Sequence, residues 1–88
     1  MLHVEKRKLS DKLVALWLHF WLKRIAKKYP DFFDKMLSDL LLSSKEKAIM
    51  KARYREGLKF KQIPELVNVE LRQVQRIHQN VISKIIHL

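Results

Sequence analysis

The sequence predicts an all-α protein, a five-helix single domain that closes with a helix-turn-helix. Three observations carry that prediction. Apolar residues recur at three- and four-residue spacing along most of the chain, and no alternating run bounded by turn residues marks a strand. Start and stop signals at Pro30, Ser43 and Gly57 cut the pattern into helix-sized pieces. One Gly and two Pro in 88 residues leave no room for a flexible linker. A chain this short buries only about 60–65% of its unfolded surface. Every helix must then contribute to one core, or a partner must extend it.

The first helix is expected from about Ser10 or Asp11, either of which can cap, to Lys28. Pro30 disfavours helical backbone at Tyr29 and ends it. Between Leu13 and Leu22 this helix is apolar on almost every side, so it either packs centrally between other helices or buries one face against a second copy. In the second case Trp17 and Trp21 are the dimer contacts. Lys23, Arg24, Lys27 and Lys28 complement the negative end of the helix dipole. The second helix is expected to start at Asp31 as N-cap, with Asp34 three residues on. It carries Phe32, Phe33, Met36, Leu37, Leu40 and Leu41. Residues 1–41 thus read as an N-terminal helical pair, a contributor to the core or to dimerisation.

Residues 42–88 read as the helix-turn-helix. Ser43-x-x-Glu46 is a capping box, in which two side chains satisfy free backbone N–H groups reciprocally, and it opens the third helix. Gly57 is its left-handed C-cap residue. The fourth helix covers about Lys61 to Val67 and the fifth about Leu71 to Ile86. On the fifth, Val74, Ile77, Val81 and Ile85 share a face that packs inward. Arg72, Gln73, Gln75, Arg76 and Gln79 fall on the outward side. Arg forks onto guanine and Gln pairs with adenine through one donor and one acceptor, so these residue types suit base readout in a major groove. No acidic residue occurs from Leu71 to Leu88, so no carboxylate on that face would repel phosphate.

The charge balance points the same way. A formal net charge of +10 and a pI near 10.2 suit a polyanionic partner. Absence of cysteine excludes disulfides and thiolate metal sites and fits a reducing, cytoplasmic setting. The basic start followed by the apolar run Leu13–Leu22 looks like a leader, but the run is about half the length of a membrane span and no small-residue cleavage site follows. His3, His19, His78 and His87 show no i, i+4 metal spacing. His19 reads as a packed helix residue, and His78 as either a DNA contact or a space filler. Asp31, Asp34 and Asp39 cap or solvate. There is no Gly-rich phosphate loop and no nucleophile with a base at a recognisable spacing, so neither an enzyme nor a cofactor is expected.

Residues 42–85 resemble the C-terminal promoter-reading domain of bacterial sigma factors, called region four. The resemblance rests on L-x-x-x-E-x-x-I-M from Leu42, Arg53-Tyr54-x-Glu56-Gly57-Leu58, F-x-x-I-x-x-L-V-N-V from Phe60, and V-x-x-I-x-x-N-V-x-x-K-I from Val74. It covers about half the chain without a gap. Output domains of response regulators share part of it. The resemblance implies that Arg72, Gln75 and Arg76 face bases, flanked by Gln73 and Gln79. It implies phosphate contacts at Lys51 and Arg53, with Lys59 or Lys61 clasping a phosphate at the start of the fourth helix. The sequence departs from the family pattern at Pro64, where a small residue is usual, at Asn68, which replaces a turn glycine, and at Leu71, where a basic residue is common. Promoter preference therefore does not carry over. Forty residues ahead of the motif are too few for a promoter-melting domain, so the expectation is a sigma-like regulator and not a self-sufficient sigma factor.

Two functional readings follow. The first is a sequence-specific regulator that binds double-stranded DNA. The second is a protein-interaction module that binds RNA polymerase or a sigma factor and touches DNA only incidentally. A homodimer is compatible with both, and a membrane partner is not expected.

Overall fold

The computed structural model describes the backbone from Leu2 to His87 and the side chains from Leu13 to His87. Helix α1 spans Leu2–Lys28 and starts earlier than the cap signals suggested. Neither Ser10 nor Asp11 interrupts it. No Gly or Pro occurs between Leu2 and Lys28, and single Ser or Asp residues inside a helix cost only about 0.5 kcal/mol each. The alternative in which α1 packs centrally between other helices does not hold. Leu18, Leu22 and Ala26 enter the core, whereas Leu13, Leu16, Trp17 and Phe20 on the opposite face stay exposed. The other helices are too short to wrap a helix of this length, so they lie against one side of it.

Helix α2 spans Pro30–Asp39. Pro30 takes the first helical position, where its fixed φ is already helical and its missing N–H is not needed. Tyr29 therefore occupies the cap position, with no side-chain cap bond, and Asp31 lies inside the first turn. That corrects the expected N-cap role of Asp31, which instead complements the positive helix end. Phe33 and Leu37 are fully buried. Leu40 closes the helix, and Leu41 adopts φ +55° with 88% exposure, so the expected last apolar residue of α2 points into solvent. The turn into the next helix requires that left-handed residue, at a cost of about 1–2 kcal/mol for a residue with a Cβ.

Helix α3 spans Ser44–Met50. Ser43 Oγ accepts from the Glu46 N–H at 3.2 Å, and Glu46 Oε1 accepts from the Ser43 N–H at 2.9 Å, completing the box. The helix then widens into a π turn over Lys51–Arg55, where the Glu56 N–H bonds the Lys51 carbonyl at 3.1 Å. Gly57 follows at φ +69°, with open space where a Cβ would stand, so backbone angle alone selects glycine. The Leu58 N–H returns to the Ala52 carbonyl at 3.0 Å and satisfies an end the π turn leaves open.

The fourth helical segment differs from its expected form. It divides into a single 3-10 turn, Phe60–Gln62, and a four-residue helix α4, Pro64–Val67. Pro64 cannot donate a backbone hydrogen bond, so a continuous α-helix from Lys61 would lose a rung there. Asn68, at φ 56° and ψ 45°, ends α4 in the left-handed region that Asn tolerates. Helix α5 spans Leu71–Ile86 and buries Val74, Val81 and Ile82.

These elements form one all-α globule of five helices, and no strand occurs among the described residues. Leu18, Leu22, Phe33 and Leu37 of the first two helices share a core with Met50, Tyr54, Val81 and Ile82 of the later ones. A second cluster, Ile49, Ala52, Ile63 and Val74, holds α3, the Phe60–Val67 segment and α5 together. Among the described residues no helix is long and apolar enough to cross a membrane.

Candidate nucleic-acid interface

Residues Arg72, Gln73, Gln75, Arg76 and Gln79 are all exposed. With about 100° per residue, Arg72, Arg76 and Gln79 run along the line opposite the buried Val74–Val81 face, while Gln73 and Gln75 flank it on opposite sides. Gln75 and Gln79 border a shallow groove between α1 and α5, together with Ala15, Phe60, His78 and Ile82. Gln75 also borders a neighbouring hollow with Arg53, Lys59, Phe60, Lys61 and Leu71. The fold thus brings Gln75 beside three of the four phosphate candidates. Lys51 is exposed but lies outside both hollows, as do Arg72, Gln73 and Arg76.

The charges on this side are uncompensated. Among the described residues the ion pairs are Arg55–Asp34 at 2.9 Å and Lys84–Glu46 at 3.2 Å. Lys51, Lys59, Lys61, Arg72 and Arg76 are in neither. Lys59 and Lys61 project from the 3-10 turn, whose start is closed by the Gln62 Oε1 accepting from the Lys59 N–H at 2.9 Å. Glu65 and Glu70 are exposed around the α4–α5 turn and set an acidic limit to the basic face.

Arg53 has a structural task as well. Its Nη1 donates to the Leu58 carbonyl at 2.9 Å and its guanidinium lies 4.5 Å over the Phe60 ring. It therefore holds the Gly57 turn against the start of the Phe60–Gln62 turn. Its Nε is buried without a hydrogen-bond partner. A phosphate contact from Arg53 would use only the part of the guanidinium that the turn leaves open.

Behind this surface lies a polar chain that sequence reasoning did not assemble. His19 Nδ1 is 3.1 Å from the Tyr54 hydroxyl, which is 2.7 Å from His78 Nε2. The three residues are 24 and 35 positions apart and join α1, the π turn and α5. The ring of His78 stacks on Tyr54 and meets Phe60 edge-on. Burial, reinforced by Arg53 and then His19, pushes His78 down to about 4. Burial, against the opposing pull of Arg53, pushes the Tyr54 hydroxyl up to about 12. Burial, then Arg53 and Lys23, also lowers His19. The chain is therefore uncharged at neutral pH. His78 is half-buried: its Nε2 is hydrogen-bonded to Tyr54 while its ring borders the groove beside Gln75 and Gln79. Its spacing from Val74 and Val81, four and three residues, was the available signal.

No three His, Cys, Asp or Glu side chains gather into a metal-binding group among the described residues. No known protein family, curated protein or solved structure matches the chain.

Proposed function

We propose that this protein is a sequence-specific transcriptional regulator that binds double-stranded DNA through a helix-turn-helix of the sigma region-four kind. The observation that supports this most directly is the packing of α3, the Phe60–Val67 segment and α5 on one apolar cluster, with an acid-free polar face left exposed on α5. An exposed helix rich in Arg and Gln, beside unpaired lysines, is a surface that can enter a major groove and neutralise the flanking phosphates. In this reading Arg72, Arg76 and Gln79 face base edges, with Gln73 and Gln75 at the sides of the contact. Lys59, Lys61 and Lys51 position the domain on the backbone, and Arg53 does so while fastening the turn behind them.

Selection from a random duplex library at near-physiological salt, with the bound fraction sequenced, tests the proposal. Enrichment of a defined motif is the expected result. Binding without enrichment would shift the assignment to the polymerase- or sigma-binding module, for which affinity to RNA polymerase at salt that abolishes DNA binding is the direct assay.

A further inference from the structure

The outward face of α1 is apolar where a solvated helix would be polar. Leu13, Leu16, Trp17 and Phe20 project away from the core-facing Leu18, Leu22 and Ala26, and they are 67%, 56%, 65% and 63% exposed. The Trp17 ring stacks on half-buried Trp21, with centroids 6.5 Å apart and planes 14° from parallel. That contact fixes the most prominent side chain of the strip before any partner arrives. Trp21 is thus a support and not itself the exposed contact. With Val14, the strip offers about 600 Å² of contiguous apolar surface, the upper end of what a lone soluble domain shows.

We propose that a second copy of this chain covers the strip, the two α1 helices pairing antiparallel about a two-fold axis between Leu16 and Trp17. In that register Leu13 of one copy meets Phe20 of the other, and Leu16 meets Trp17. Each aromatic ring packs on an aliphatic side chain, and the same two contacts repeat on both sides of the axis, as an isologous interface requires. A parallel pairing would instead set Trp17 and Phe20 against their twins and align the Lys23, Arg24, Lys27 and Lys28 clusters. The antiparallel one keeps the two clusters at opposite ends of the helix pair, each facing residues 5–10, where Lys6, Arg7 and Lys8 outnumber Glu5, so apolar contact and not charge holds the pair. Two strips bury about 1,200 Å² in total, which reaches the lower bound of stable interfaces. The proposal does not depend on DNA binding. Basic residues still outnumber acidic ones along α1, so raising salt tightens this apolar contact while it weakens any contact to phosphate.

Sedimentation equilibrium of the full chain from about 1 to 100 µM should show a monomer–dimer equilibrium in the micromolar range, the affinity class of a small interface. Phe20→Glu and Leu16→Glu should each weaken it at least tenfold while circular dichroism stays unchanged. Phe32→Glu, at an exposed side chain of α2, should leave it intact. The chain has no cysteine, so register can be read by oxidation: mixed Leu13→Cys and Phe20→Cys chains should cross-link to each other faster than either does to itself. A wild-type monomer at 100 µM overturns the proposal. If that monomer sediments with phosphatidylglycerol vesicles, the strip belongs to a lipid surface instead. Dimers that Phe32→Glu dissolves and Phe20→Glu spares place the interface elsewhere, and faster self-cross-linking refutes the antiparallel register.

Discussion

Lowering the pH should destabilise this protein well above the range where carboxylates titrate, and His78 is the reason. Its ring is hydrogen-bonded to Tyr54 at 2.7 Å and burial holds it neutral, down to about 4 from an ordinary value of 6.5. The folded state therefore binds this proton less readily than the unfolded state. The neutral ring contributes its full stability above pH 6.5, and that contribution is lost as the pH falls towards 4. The whole shift corresponds to about 3 kcal/mol, of which about 2 kcal/mol is gone by pH 5. His19, also lowered, adds in the same direction. Glu46 is held low by the Ser43 N–H and by Lys84, and it loses its contribution only below its ordinary 4.5, outside this window. For a domain of this size, 2 kcal/mol moves the melting temperature by about 10 °C. Thermal melts followed at 222 nm between pH 7.5 and 5.0 should show that fall. In His78→Gln, which keeps a polar partner for Tyr54 without a titrating ring, most of it should vanish. A His78→Gln curve parallel to wild type would refute the reasoning, as would an NMR titration that places the His78 midpoint near 6.5.

Three further outcomes are expected. Arg76→Ala should relax specificity at one base pair, at a cost of about 1–3 kcal/mol read by competition with base-substituted duplexes; equal weakening on every sequence would remove Arg76 from base readout. Lys61→Ala should weaken binding on all sequences alike and flatten the slope of log affinity against log salt by about one, and an unchanged slope would show that it touches no phosphate. Leu22→Ala empties a site that is fully buried between α1 and the rest of the core. It should cost about 2–5 kcal/mol in urea unfolding, and a loss under 1 kcal/mol would mean that α1 is not integral to the fold.

The polar chain explains how two half-buried histidines are accommodated beside the core of so basic a protein. Neither ring carries charge at neutral pH, and each has the Tyr54 hydroxyl as partner. It also ties the helix that bears the candidate readout residues to α1. Contacts of α5 with both the π turn and α1 therefore set the angle at which Arg72, Arg76 and Gln79 are presented.

Much of the architecture was legible from local chemistry. The Ser43–Glu46 box, the positive φ at Gly57 and Asn68, and the limits of α5 all depend on residues within one or two turns of each other, and each appears in the structure as read. The inward set Val74, Ile77, Val81 and Ile85 followed from helical spacing: Val74 and Val81 are buried, Ile77 and Ile85 pack half-buried against the two clusters, and Ile82, outside that set, is buried as well. Where two local signals competed, the sequence reading chose wrongly. Asp31 was a plausible cap, but Pro30 before it is better suited to the first helical position. Lys61–Val67 looked like one helix, but Pro64 breaks its hydrogen-bond ladder into a 3-10 turn and a short α segment.

What no local pattern could determine was which side of α1 would be covered. From Leu13 to Leu22 it is apolar all round, so spacing could not distinguish the core-facing Leu18 and Leu22 from the exposed Leu16 and Trp17. The sequence by itself determined that this segment is a helix ending before Pro30, the Ser43–Glu46 box, the turn at Gly57 and the outward row on α5, because each is set by neighbours along the chain, and it carried the surplus of positive charge. Only the tertiary structure decided that α1 packs on one face, that His19, Tyr54 and His78 meet, and that Arg53 spends part of its guanidinium on the Gly57 turn. Those outcomes depend on residues far apart in sequence, and on how much of a long helix four shorter ones can cover.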